Sequence, residues 1–142
     1  MKSAKDECEE LMNSVLPFAH QMLTQHRGFN PFGGAMAADG RIVAVSGDTV
    51  EEHPASQVVI DLLAKGFQEG ARAGKYKATA LVVDMRVVPP NRDTKQDAIA
   101  VQLDHRDGYS VVVMFPYSIG AGGEVAIEAP FAAKGEQRIF AR

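Results

Sequence analysis

The stretch from Ala98 to Tyr117 constrains the fold more than any other part of the chain. Two runs of β-branched and other apolar residues flank the dipeptide Asp107-Gly108, which is a strong local signal for a β-hairpin. With a two-residue turn, the expected pairs on one face are Leu103 with Val112, Val101 with Met114, and Ile99 with Pro116. The second strand is then apolar on both faces, which is typical of a strand that is covered on both sides. We therefore expect a sheet built around this hairpin.

The remaining elements alternate between helical and extended patterns. An amphipathic helix is predicted over residues 4–27, and either a bend or the start of a second helix is expected at Pro17. Four further elements follow: a second Asp-Gly hairpin at residues 33–47, a helix from Pro54 with the apolar stripe Val59, Leu63 and Phe67, a strand at residues 78–88, and a weak strand at residues 124–129.

Small residues in two of these elements predict close packing. The first strand of the second hairpin contains Gly34 and several alanines, so another element is expected to pack closely against it. In the second helix, Gly66, Gly70 and Gly74 recur at every fourth position. Glycine costs up to about 1 kcal/mol in a helix relative to alanine. The three glycines therefore indicate either a close backbone approach or a frayed helix end.

Two helices and sequential antiparallel strands predict an α+β fold with a five- to six-stranded sheet, in one domain spanning residues 1–142. Residues 118–142 are expected to form a loop-rich extension with one short strand. The run GAMAADGRIVAVSG, followed by a helix and a three-strand meander, resembles the roadblock/profilin-like arrangement over residues 5–117. This resemblance implies that residues 34–38 form a strand beside residues 110–116. The chain also resembles small bacterial α+β domains.

The composition argues against several classes of function. The chain has 15 Lys and Arg against 18 Asp and Glu, and its basic residues are scattered. Because phosphate affinity needs clustered cations, no nucleic-acid partner is expected. The single cysteine, Cys8, fits a reducing compartment. No stretch reaches the roughly 18 apolar residues of a spanning helix, and the N-terminus has no apolar run, so we expect a cytoplasmic protein without membrane contact.

The run NPFGGAMAADGRIVAVSG and the helix after it also resemble the start of a zinc-dependent nucleobase deaminase. In that family the helix carries H-A-E and a later loop carries P-C-x-x-C, which supply the zinc ligands and a proton carrier. On this resemblance the zinc histidine falls at Gln57, the glutamate falls at Val59, and the later loop falls at Pro89–Thr94, which contains no cysteine. The resemblance therefore implies a deaminase-like fold without zinc or deaminase activity, and no cofactor is expected.

A set of candidate ligand-binding residues follows from the roadblock/profilin-like order. In that order one rim of the sheet brings Phe32 near Tyr117, with Asp48, His53 and Arg92 beside them. A tyrosine with aromatic, cationic and anionic neighbours is the kind of mixture that binding sites use. The competing interpretation is that Phe32 closes the end of the core.

The expected function is non-enzymatic binding by a homodimer, with a protein or a small ligand as a further partner. Two helices on one face of the sheet would leave four valines in need of a partner surface: Val82, Val88, Val111 and Val113. Two alternatives remain open. One is an enzyme that acts on a small molecule at the rim with His53 or His105 as general base. The other is a deaminase-like fold with a new ligand.

Overall fold

In the computed structural model the chain is described over residues 2–46 and 56–140. These residues form two helices and seven strands: α1 (Ala4–His26), β1 (Phe32–Ala37), β2 (Ile42–Ser46), α2 (Ser56–Arg72), β3 (Tyr76–Val87), β4 (Gln96–His105), β5 (Ser110–Ile119), β6 (Val125–Ile127) and β7 (Phe131–Lys134). All strand pairs are antiparallel, in the order β2-β1-β3-β4-β5-β6, and β7 also pairs with β5. The predicted α+β fold with an antiparallel sheet is confirmed.

The neighbours of β1 differ from those implied by the roadblock/profilin-like resemblance. Gly34 lies opposite Ala44 of β2 on one side and opposite Ala80 of β3 on the other. The expected pairing of residues 34–38 with residues 110–116 is therefore wrong, because β3 and β4 separate β1 from β5. After the β1–β2 hairpin, α2 returns the chain to the free edge of β1, where β3 pairs. The roadblock/profilin-like resemblance is not confirmed.

The central hairpin forms as β4 and β5, but its register differs by one residue from the expected one. Leu103 lies opposite Val111 rather than Val112. The loop contains the three residues 106–108, and Gly108 takes a left-handed φ of 94°, a geometry that is also common in hairpins. Because a shift of one residue reverses the face of every side chain, the odd-numbered apolar residues of β5 face the same side as Leu103.

The two helices lie on opposite faces of the sheet. On one face α1 packs on a core that includes Val82 and Val101, whereas on the other α2 packs on Leu81 and Val83. The expectation that both helices cover one face is wrong, since Val82 is completely buried under α1. Residues 111 and 113 also pack against the α1-side core. The four-valine argument for a partner surface therefore fails.

α1 is one continuous helix that runs through Pro17. It begins with a capping box, in which the Asp6 N–H donates to the Ser3 hydroxyl and the Ser3 N–H donates to the Asp6 carboxylate. At its other end the capping residue is Arg27, which has a left-handed φ of 62° and whose backbone N–H donates to the Leu23 carbonyl. Gly28 lies beside Asp84, since a Cβ built on it would come 3.3 Å from Asp84 Oδ2.

The last part of the described chain contains two short strands, β6 and β7, where the sequence predicts one. β6 lies within the predicted strand at residues 124–129. Residues Gly135–Phe140, named here the C-terminal strap, then return to the α2 face, where Ile139 is buried beside α2. Within the described residues, neither helix combines the length and the hydropathy that a membrane crossing requires.

Candidate functional site

Three of the five candidate residues lie in the described part of the chain, and Asp48 and His53 lie outside it. Phe32 begins β1 and Tyr117 lies near the end of β5, and both belong to the core on the α1 face of the sheet. Arg92 lies in the loop between β3 and β4, and its contacts are on the other face. The structure therefore places Phe32 and Tyr117 on one face and separates Arg92 from them.

Phe32 is the centre of an aromatic cluster at the start of β1. Its ring meets those of Phe18 and Phe29 edge to face, at centroid distances of 4.9 Å and 5.5 Å, which is a favourable arrangement for aromatic pairs. Phe32 is buried, whereas Phe18 is 47% exposed. Phe32 thus contributes to the core, and it also lines a groove between α1 and β2.

Tyr117 is held by a partly buried hydrogen bond. Its hydroxyl donates to Asp84 Oδ1 at 2.6 Å, and Asp84 also accepts from the backbone N–H of Phe29. Burial is the main cause that raises the pKa of Asp84, and the bond from Tyr117 opposes it. Burial, followed by the bond to Asp84, raises the pKa of Tyr117, so this phenol keeps its proton at neutral pH. Asp84 thus links Phe29 of the α1–β1 loop to Tyr117 of β5 through two hydrogen bonds.

A Tyr117→Phe variant is expected to lose about 1–2 kcal/mol of unfolding free energy, because the half-buried Asp84 carboxylate loses a donor. Urea unfolding at pH 7 measures this loss. The control is Tyr109→Phe, which removes a hydroxyl at the other end of β5 and should change the midpoint less. Equal midpoints for the two variants would show that the Tyr117–Asp84 bond adds nothing to stability.

Arg92 belongs to a polar network with Glu128 and Gln96. Its guanidinium donates to both oxygens of the Glu128 carboxylate, one bond being 3.2 Å, and the Gln96 amide donates to Glu128 and to the Tyr117 carbonyl. The bond from Arg92 is the main cause that lowers the pKa of Glu128. Pro116 and Tyr117 are adjacent in β5, so their side chains lie on opposite faces of the sheet. Pro116 and Arg92 line one groove of about 280 Å³, which is therefore on the face opposite the Tyr117 side chain. An anionic ligand at Arg92 would have to displace Glu128.

The groove between α1 and β2 has a volume of about 390 Å³ and is mainly apolar. Val15 and Phe18 of α1 form one wall, Phe32 lies at the base, and the whole of β2 forms the other wall. Among the described residues, β2 pairs with β1 alone. An exposed aromatic ring therefore lies beside an edge strand.

The positions that would hold the zinc ligand and the proton carrier of a deaminase are Gln57 and Val59, and neither side chain is placed for that chemistry. Val59 lies on the buried side of α2, in the core between this helix and the sheet. The Gln57 side chain donates to Asp61 at the surface. Valine cannot transfer a proton. Within residues 2–46 and 56–140, no group of three or more His, Cys, Asp or Glu side chains is arranged to hold a metal ion.

His105, one possible general base of the enzyme alternative, lies far from Tyr117. The β4–β5 register places Tyr117 level with residue 97, and His105 is eight residues along the strand, a distance of about 27 Å. The His105 Nδ1 accepts from the Asp107 N–H at 3.1 Å, so Nε2 carries the proton and donates to Glu7 at 2.9 Å. His105 and Tyr117 therefore cannot act on one small substrate.

One polar cavity was not anticipated from the sequence. It lies beneath the C-terminal strap, and the buried Asp104 is part of its wall. The one available signal was the acidic residue Asp104, which directly follows the mainly apolar residues 98–103 of β4. The strap residues that close the cavity lie about 30 positions further along the chain and show no periodic pattern.

The comparisons with known proteins identify no relative: no family model, no curated protein and no solved structure matches this chain.

Proposed function

We propose that this protein is a non-enzymatic cytoplasmic interaction domain that forms a homodimer through β2 and the groove between β2 and α1. The observation that carries this proposal is the character of β2, which is uncharged, lies next to an apolar groove and is an edge strand of the sheet formed by residues 2–46 and 56–140. The cytoplasmic location is supported by the single cysteine, which fits a reducing compartment.

The two edges of the sheet are protected differently. At the β5 edge the outer strands β6 and β7 have three and four residues. Pro130 directly precedes β7, and Lys134 is the last residue of β7. Short strands, proline and lysine all hinder pairing with another chain. β2 has the sequence IVAVS, without charge, proline or glycine. The β2 edge is therefore the one suited to pairing.

The sequence of β2 favours a second copy of this chain as the occupant. In an antiparallel pair centred on Ala44, Val43 lies opposite the partner's Val45, and Val45 lies opposite the partner's Val43. A twofold interface requires such a self-complementary patch, and cross-strand pairs of β-branched residues are favourable. No like charges meet in this register.

Strand pairing over five residues buries little surface, whereas stable interfaces bury about 1,200–2,000 Å². The α1 side of the groove supplies additional apolar area, because Phe18 is 47% exposed there. We therefore expect the dimer to include Phe18 as well as β2.

An Ala44→Lys variant is expected to be monomeric at concentrations where the wild-type protein is dimeric, because a charge on the paired edge opposes association. Sedimentation velocity over a concentration series measures this. Ala44 is exposed, so the folded monomer should tolerate the change. The matched control is Ala126→Lys, at an exposed position of β6, which should leave the dimer unchanged.

Phe18→Ser tests the helical half of the interface, with Val58→Ser as its control because Val58 is 46% exposed on α2. The first should weaken the dimer and the second should not. A wild-type protein that stays monomeric at every concentration, or equal behaviour of the two lysine variants, would overturn the proposal.

A further inference from the structure

The cavity beneath the C-terminal strap lies on the α2 face of β4 and β5, away from β2. Its volume is about 140 Å³. The polar and charged side chains in its wall are Gln102, Asp104, Ser110, Lys134, Glu136 and Arg138. The first three come from β4 and β5, and the last three come from β7 and the strap.

Asp104 is the buried carboxylate of this wall, and only 6% of the residue is exposed. Its Oδ1 accepts from the Ser110 hydroxyl at 2.8 Å. A neutral hydroxyl offsets only part of the cost of burying a carboxylate. Burial is the main cause that raises the pKa of Asp104, and the negative charge of Glu136 adds to that rise, whereas the hydrogen bond from Ser110 and the positive charge of Arg138 oppose it. A cationic group inside the cavity would therefore stabilise the ionised form of Asp104.

The strap is fixed in place by specific contacts. The Gln137 backbone N–H donates to the Ser110 hydroxyl at 3.1 Å, and its side-chain amide donates to the Gly108 carbonyl at 2.7 Å. Gln68 of α2 donates to the Arg138 carbonyl at 2.8 Å. Gln137 has a left-handed φ of 53°, which is unfavourable for a residue other than glycine and persists where surrounding contacts impose it. The cavity therefore has a built wall.

The size of the cavity limits the ligand. A protein cavity of about 150 Å³ can hold one benzene molecule, which has six non-hydrogen atoms, so a cavity of about 140 Å³ has room for about five or six non-hydrogen atoms. Its wall carries two acidic residues, Asp104 and Glu136, and two basic residues, Lys134 and Arg138. A ligand that satisfies both kinds of charge is small and has one positive and one negative end.

We propose that the cavity binds a small zwitterionic amino acid of the size of glycine, with its ammonium group on Asp104 and its carboxylate towards Arg138 and Lys134. Such a ligand supplies a cationic donor to Asp104, which within the described residues accepts from the neutral Ser110 hydroxyl, and a counter-charge for Arg138 of the strap and Lys134 of β7. The small number of ligand atoms places the expected dissociation constant between about micromolar and about millimolar. This site is independent of the proposed dimer.

The test is an NMR titration of the full-length protein with glycine, followed at the backbone amides of Gln102, Ser110 and Gly135. Saturable shifts at these amides are expected. Methylammonium and acetate, which each carry one of the two charges, should bind at least about tenfold more weakly, the loss typical of a missing charge-assisted hydrogen bond.

Asp104→Asn should weaken glycine binding by about tenfold or more, since its amide oxygen can still accept from Ser110 but carries no charge. The control is Asp97→Asn on the same strand, where the exposed Asp97 pairs with Arg86 outside the cavity. Arg138→Gln should weaken glycine binding and leave methylammonium binding unchanged. In the wild-type protein, glycine affinity should fall as the pH drops through the raised pKa of Asp104, which tests the site even if Asp104→Asn fails to fold.

Three results would overturn this assignment. The first is the absence of saturable shifts at millimolar glycine. The second is equal glycine affinity in Asp104→Asn and the wild type. The third is equal binding of acetate and glycine, which would indicate a site for anions alone at Lys134 and Arg138.

Discussion

A Gly33→Ala variant is expected to lose about 3 kcal/mol of unfolding free energy, at the upper end of the usual cost of overpacking. A Cβ built on Gly33 meets the Ala80 carbonyl oxygen, which is backbone, and comes 2.8 Å from Cζ of Phe67. Ala80 lies in β3 between two neighbouring strands and cannot move away without breaking their pairing. Phe67 is among the largest completely buried side chains. Neither neighbour can make room.

Alanine variants at two other glycines allow the loss of unfolding free energy in Gly33→Ala to be compared within the same protein. A Cβ on Gly34 meets first the Cγ1 of Val15, at 2.8 Å, and a side chain can shift, so Gly34→Ala should cost less than Gly33→Ala. Gly66 in α2 has open space around the added methyl group, so Gly66→Ala should raise stability by up to about 1 kcal/mol. Denaturant unfolding followed by circular dichroism ranks the three variants. A Gly33→Ala protein as stable as the wild type would contradict the close packing of β1 between the two helices.

The same glycines show what a local pattern predicts. The lack of bulk in β1 correctly predicts close packing, because a strand of small residues is stable only where other elements fill the space. The spacing of Gly66, Gly70 and Gly74 predicts a shared face but not its surroundings. In the structure Gly70 lies against the Tyr76 ring, Gly66 faces open space, and Gly74 takes a left-handed φ of 73° in the turn after α2. A close approach thus explains Gly70, and the end of the helix explains Gly74, whereas neither explains Gly66.

Strand order and register depend on information that the local pattern lacks. Asp107-Gly108 is compatible with loops of two or three residues, and including Arg106 in the loop reverses the faces of β5. Likewise, the helix pattern of α2 does not determine which edge of the hairpin receives β3. Hairpins and helices could be predicted, whereas the neighbours of β1 could not.

The candidate residues were grouped from an incorrect strand order, and their role as a binding site stays a prediction. Phe32 and Tyr117 do share one face of the sheet, but β1 lies beside β3 rather than β5. The main partners of these side chains come from distant positions: Tyr117 bonds Asp84, and Arg92 bonds Glu128, which is 36 residues away. The cavity at Asp104 likewise depends on the strap. Such contacts are fixed by the fold, and nothing in the spacing of the residues marks them.

A Glu7→Ala variant is expected to lose about 3 kcal/mol of unfolding free energy at pH 7, because it removes one partner from a largely buried set of charges. One Glu7 oxygen contacts the Lys77 ammonium, and the other accepts from the completely buried His105 ring. Without Glu7, the ammonium of Lys77, whose side chain is only 16% exposed, loses the carboxylate that it contacts. The matched control is Glu10→Ala on the same helix. Glu10 pairs with Lys2 in solvent, so its loss should cost less than about 1 kcal/mol.

The pH dependence separates charge from packing in this prediction. The hydrogen bond from Lys77 is the main cause that holds the pKa of Glu7 below its usual value. A carboxyl group whose pKa is lower in the folded state contributes stability that is complete above its unfolded pKa, about 4.3, and is lost as the pH falls through the folded pKa. The difference in unfolding free energy between the wild type and Glu7→Ala should therefore be constant from pH 7 to about pH 5 and shrink in more acidic solution. A difference that remains the same at pH 3 would assign the loss to the packing of the side chain, since below about pH 4.3 the Glu7 carboxylate of the unfolded chain takes up a proton and the contribution of its charge to stability must fall.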